Sequence, residues 1–157
     1  MFEFRVTKYD PRFRAADGSY ARDEWTAVSD IGRTYRGALL TRQEYERTEC
    51  AYVAAAKAFL EEAAVQVVSI RGLEDPDNRH PQFREGSALP VEDIGLLLPL
   101  MLREELWCRL EAPQAFVHIG YDYYMYVGVP NPCPFAQRRA ASLALFVEHF
   151  RSPYHPE

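Results

Sequence analysis

Phe2, Phe4 and Val6 alternate with Glu3, Arg5 and Thr7 at the head of the chain. A period of two puts the apolar set on one side of a strand and the polar set on the other. Tyr9-Asp10-Pro11 ends that strand. Residues 10–40 hold no sustained period. They carry turn chemistry at Asp17-Gly18 and over Ser29–Gly32, with Trp25 placed to pin the segment to the core. Thr41-Arg42-Gln43-Glu44 then has the form of a reciprocal helix cap. Beyond it Tyr45, Tyr52, Ala56, Phe59 and Ala63 recur at helical spacing, widened by Val53 and Leu60, which predicts a helix over 41–63.

Val65–Ile70 is short and β-branched and reads as a buried strand, followed by a loop over 73–88. Pro90 suits a first helical turn, Glu92 and Asp93 complement a helix dipole, and Ile94, Leu97, Leu98, Met101 and Leu102 form an apolar side. The pattern predicts a helix over 90–105, kinked at Pro99. Three strands are expected next, at Leu106–Leu110, Phe116–Ile119 and Tyr123–Val129, as an antiparallel meander. A short helix over 135–142, a strand from Ala144 and a loose tail over 151–157 complete the reading. The expected fold is one α+β domain over 1–157, a mainly antiparallel sheet of five to six strands with two main helices against it.

Composition narrows function more than fold. Apolar residues make up 48% and charged residues 26%, a globular balance. Twenty-three acids against 18 bases give a net charge of −5, so no basic footprint for nucleic acid is present. The longest apolar run, near residues 94–102, is broken by Pro99 and falls far below the roughly 20 residues that span a bilayer. Cys50, Cys108 and Cys133 are odd in number and widely spaced, which suggests reduced thiols in a cytoplasmic protein. The N-terminus opens on a strand pattern and not on a secretory leader.

No motif for a cofactor, a phosphate loop or a serine nucleophile is visible, and His80, His118, His149 and His155 lack metal-ligand spacing. No cofactor is expected. His118 and Asp122 have the residue types for acid–base work, but a packed histidine and a turn aspartate account for both more simply. Phe116–Val129 is the most distinctive stretch, with four tyrosines in fourteen residues. Tyr121, Tyr123, Tyr124 and Tyr126 cannot all face inward along one strand. Tyrosine anchors a partner at low entropic cost, and Glu104-Glu105 could form an acidic rim against Lys or Arg. The expected contact set is therefore Tyr121, Asp122, Tyr123, Tyr124, Tyr126, Glu104 and Glu105.

Three segments carry a resemblance: Thr7–Asp10 with Glu24–Gly32, Glu105–Glu111, and Phe116–Gly128. Together the chain resembles the immunity proteins of bacterial polymorphic toxin and contact-dependent inhibition systems. The resemblance implies an antitoxin that binds one toxin domain, occludes its active site and catalyses nothing. Two other readings stay open from the residues. One is a small-molecule-binding domain or minor enzyme with a pocket at His118 and Asp122. The other is a homo-oligomeric structural protein, such as a homodimer, joined through the aromatic strand.

Overall fold

The computed structural model describes residues 1–156. In chain order the elements are β1 (Phe2–Thr7), a small hairpin of β2 (Thr34–Tyr35) and β3 (Ala38–Leu39), α1 (Arg42–Glu62), β4 (Val67–Glu74), β5 (Ala88–Pro90), α2 (Leu98–Leu102), β6 (Trp107–Ala112), β7 (Ala115–Ile119), β8 (Met125–Val129), α3 (Pro134–Ser142) and β9 (Phe146–His149). Seven strands form one sheet in the order β5-β4-β6-β7-β8-β1-β9, every pair antiparallel. The fold is α+β, with one strand more than the five or six expected. The addition is β5, hidden in the sequence by its brevity and by Pro90. Proline is tolerated there because β5 lies at the sheet edge.

The period of two carries across the whole sheet. Phe4, Val127, Val117, Leu110 and Ile70 stand in register on adjacent strands, and all are buried. They face the helices, with Phe4 meeting Phe59 of α1 at 5.6 Å between ring centres. Tyr45, Tyr52, Phe59 and Leu60 of α1 are sealed in this layer, each contributing about 1.5–3 kcal/mol by leaving water. One residue along, Glu148, Arg5, Tyr126, His118, Arg109 and Arg71 stand in register on the opposite side. That polar side is covered by the chain's own end. The Phe150 N–H donates to the Glu3 carbonyl at 3.1 Å, the Ser152 N–H to the Glu3 carboxylate at 2.8 Å, and the His155 ring lies 3.0 Å from the same carboxylate. The expected loose tail is thus tied down over its described residues. Its partners lie about as far away in sequence as the chain allows, so the polar composition of 151–156 does not reveal them.

Local chemistry explains where the elements end. Thr41 Oγ1 accepts the Glu44 N–H at 3.1 Å, but the reciprocal half of the expected cap is missing, because the Glu44 carboxylate turns to Arg47 at 2.9 Å. Pro99 does not kink a long helix. It sits in the first turn of α2, where its missing N–H costs nothing, and Val91–Leu96 forms a separate 3-10 turn. All three α-helices finish in the same motif without glycine. Ala64, Glu104 and Ala144 adopt left-handed conformations (φ +59°, +60° and +61°). In each case the following N–H reaches back to the fifth residue before it: Val65 to Leu60, Glu105 to Leu100, Leu145 to Ala140. The last of these delays the strand expected from Ala144 until Phe146.

The strand expected over Tyr123–Val129 also starts late. Tyr121–Tyr123 form a 3-10 turn in which Asp122 and Tyr123 are left-handed, and β8 begins at Met125. Gly128 in β8 lies opposite Phe116, whose ring covers it; a methyl group at Gly128 would overlap that ring.

Two substitutions test this account in urea unfolding. Ala64→Gly is expected to stabilise by about 1 kcal/mol, because a left-handed alanine carries a strain that glycine lacks. Gly128→Ala is expected to destabilise by about 1–3 kcal/mol through overpacking against Phe116.

Candidate functional site: an acidic aromatic cleft

The carboxyl end of α2 and the sheet order together build one cleft of about 720 Å³. β4 pairs with β6, and that pairing brings Glu74, Asp75 and Pro76 beside the segment that leaves α2. Glu104 and Glu105 are the two residues that close α2. The left-handed Glu104 turns the chain, and both side chains line the cleft. Trp107, the first residue of β6, supplies an indole wall. Its Nε1–H donates to the Ile119 carbonyl at 2.8 Å, which fixes the ring plane. Tyr154 from the C-terminal segment leans on Trp107 at 5.9 Å, and its hydroxyl end rests on Gly120, where any side chain would collide with it. Tyr121 stands at the mouth, 74% exposed. Met101 and Leu106 add apolar lining.

The charge in this cleft is uncompensated. Among the described residues, none of Glu74, Asp75, Glu104 and Glu105 forms an ion pair. Nearby bases are committed elsewhere. Arg103 grips the buried Glu49 with two contacts of 2.8 Å, and Arg109 holds Glu111 at 2.9 Å. Asp75 accepts the backbone N–H groups of Arg79 and His80, which closes its own loop and leaves its negative charge in place.

The structure divides the expected contact set. Tyr121, Glu104 and Glu105 come together in the cleft. Asp122 is exposed at the turn, where its carbonyl accepts the Tyr9 hydroxyl at 2.6 Å. Tyr123 is 2% exposed, packed edge-on against Trp25 and Tyr52, and has no surface to offer. Tyr124 is half-buried, stacked on Tyr9 and hydrogen-bonded by Arg14 at 2.9 Å. Tyr126 is 7% exposed beneath Phe150 and Tyr154. Alternation along one strand does not hold for these tyrosines because residues 121–123 are a turn. Nor is β8 free to join a second copy along its edge, since β7 and β1 occupy both sides. Sequence reasoning missed Glu74, Asp75, Trp107 and Tyr154. The tryptophan beside Glu104-Glu105 was the available signal; the other three depend on sheet order and on the tied-down tail.

His118 and Asp122 do not share a pocket. The imidazole is fully buried under the C-terminal segment, with Nδ1 2.7 Å from Ser152 Oγ, Nε2 3.6 Å from Glu111 and the ring stacked 4.1 Å from Phe116. Ser, His and Glu in a line have the residue types of an acyl-transfer triad. Here, however, Ser152 is 4% exposed, and its hydroxyl also accepts the Tyr154 N–H at 3.2 Å. The group is a latch that holds the end of the chain on the sheet. Burial pushes the His118 ring down to about 4, although Glu111 works the other way. Among the described residues no three His, Cys, Asp or Glu side chains are arranged to hold a metal ion.

This latch makes stability depend on pH with a definite sign. The unfolded ring takes its proton near 6.5 and the folded ring only near 4. Between those values the unfolded chain binds more protons, so the stability present above about pH 6.5 is lost as pH falls towards 4, by about 1–3 kcal/mol. The charged groups facing the ring are Glu111, His155 and Arg109, with Glu3 behind His155. His118→Asn is expected to flatten the slope of the unfolding midpoint over this window; an unchanged slope would assign the effect to another group.

Comparison with protein families, curated proteins and solved structures finds no match to this chain.

Proposed function

We propose that the protein works by docking, as a cytoplasmic inhibitor that binds a bacterial toxin domain and covers its active site. The observation that carries this reading is the convergence of Tyr121, Glu104 and Glu105 with Trp107 and Tyr154 on one cleft whose four carboxylates form no ion pair among the described residues. Exposed aromatic side chains beside uncompensated charge are the features that anchor and steer a protein partner. The three cysteines are free thiols, in keeping with a reducing cytosol. A second reading draws on size alone, because about 720 Å³ also suits a small molecule.

The test is capture from the native host by the wild-type chain and by a triple variant, Tyr121→Ala with Glu104→Ala and Glu105→Ala. The expected result is one toxin domain retained by the wild type, inactive while bound, and released by the triple variant. Each single substitution should cost about 1–2 kcal/mol of binding. Tyr126→Ala should lower stability without touching affinity. Retention of the same domain by the triple variant would remove the cleft from the interface, and turnover of a substrate by the purified protein would end the docking reading.

A further inference from the structure

We infer that the cleft is built to take an arginine side chain of the partner protein. This rests on the docking reading and adds the chemistry of what is docked. Two kinds of wall meet here. The Trp107 and Tyr154 rings form a wedge, tilted at 53° to each other with centres 5.9 Å apart. The indole is fixed by its bond to the Ile119 carbonyl and Tyr154 by its seat on Gly120, so neither ring needs ordering when a ligand arrives. A planar cation stacks on such faces. The acids are the second kind of wall: Glu104 and Glu105 from the turn after α2, Glu74 and Asp75 from the end of β4.

Charge decides the class of ligand. Elsewhere on this molecule several partly buried acids are matched, Glu148 by Arg5 and Arg14, Glu49 by Arg103, Glu111 by Arg109 and Glu24 by Lys8 and Arg36, whereas the cleft acids, mostly exposed, keep their charge free for a ligand. In the cleft four carboxylates gather without an ion pair among the described residues, and the one guanidinium near the indole, that of Arg109 at 5.9 Å from the Trp107 ring, is held by Glu111. Their summed negative charge attracts a cation to the cleft. An anion is excluded by the same charge, and a neutral apolar group would leave the acids unanswered. Among cations, guanidinium satisfies both walls at once. Its face stacks on indole and phenol, its edge forks to a carboxylate, and it sheds water more readily than an ammonium.

The experiment follows the Trp107 indole N–H and the amides of Glu105, Gly120 and Tyr121 by NMR. The titrants are an acetylated, amidated Ala-Arg-Arg-Ala peptide and its lysine and citrulline counterparts. Shifts confined to those signals are expected with the arginine peptide. Binding should be about tenfold weaker with citrulline, intermediate with lysine, and weakened by added salt. The double variant Glu104→Gln with Glu105→Gln should lose about tenfold in affinity while its melting temperature stays level, because both side chains are exposed and make no ion pair or hydrogen bond among the described residues. Silence of those signals up to about 10 mM peptide, or equal binding of citrulline, overturns the inference. Free arginine amide binding as tightly as the peptide would also overturn it, in favour of a small-molecule site. Loss of the captured toxin domain in the triple variant together with silence of the peptide would remove the arginine assignment and leave the docking reading standing. Peptide binding without any captured domain would do the reverse.

Discussion

The hydroxyl of Tyr52 is where the parts of this molecule are joined. It accepts the Lys8 N–H, just past β1, at 2.8 Å and donates to the Tyr123 carbonyl, in the turn before β8, at 2.9 Å. One group on α1 therefore satisfies a buried donor and a buried acceptor from two places on the sheet. Inside the protein such bonds are stronger than in water, and an unmade one is costly. Burial drives the phenol far from ionisation, so the bridge is neutral at any physiological pH. Around it Trp25, Tyr45 and Tyr123 interlock edge to face, which fixes the loop of residues 10–40 and the turn of residues 121–123 in the same place. With Tyr123 drawn inward, its neighbour Tyr121 is left outside at the mouth of the cleft.

Much of the frame is legible in the residues. The 41–63 helix carries its period openly, and Thr41 marks its start. The alternation at the head of the chain and the short strands near 107–112 and 115–119 need no tertiary knowledge. What fails does so for definable reasons. Tyr123–Val129 looks like one strand because its composition is β-forming throughout, yet two left-handed residues take Tyr123 out of register. Residues 90–105 look like one helix because the apolar spacing continues through Pro99, yet proline accepts only a first turn. Strand-like or helix-like composition says what a segment tolerates, and the contacts of Tyr123 and the position of Pro99 decide what it does.

The site was less visible than the frame. Glu104, Glu105 and Tyr121 could be singled out by type, and the β6–β7 hairpin, expected from the sequence, brings them together. The rest of the cleft depends on β4 crossing to pair with β6, which adds Glu74 and Asp75, and on the last described residues returning over the sheet to place Tyr154. Both are long-range facts. Glu49 shows the converse. An acid on the apolar side of a helix reads as an error, but Arg103 and the Tyr45 hydroxyl, at 2.8 Å and 2.9 Å, meet its charge. That pairing also commits Arg103, the residue before Glu104, to an acid outside the cleft.

Left-handed non-glycine residues occur across the molecule, at Arg36, Ala64, Asn78, Cys133 and Ala144, and three more stand at the edge that holds the cleft. Glu104 is left-handed where α1 and α3 use alanine, and glycine would serve with less strain. Asp122 and Tyr123 are left-handed in succession beside the exposed Tyr121. Four carboxylates share a cleft without a base. The left-handed backbone works against the folded state at Glu104, Asp122 and Tyr123, as it does at Ala64 and Ala144. On the docking reading, the turns at Glu104 and Asp122 set Glu105 and Tyr121 beside a rigid aromatic seat, where a partner's cation would meet acids that form no internal ion pair.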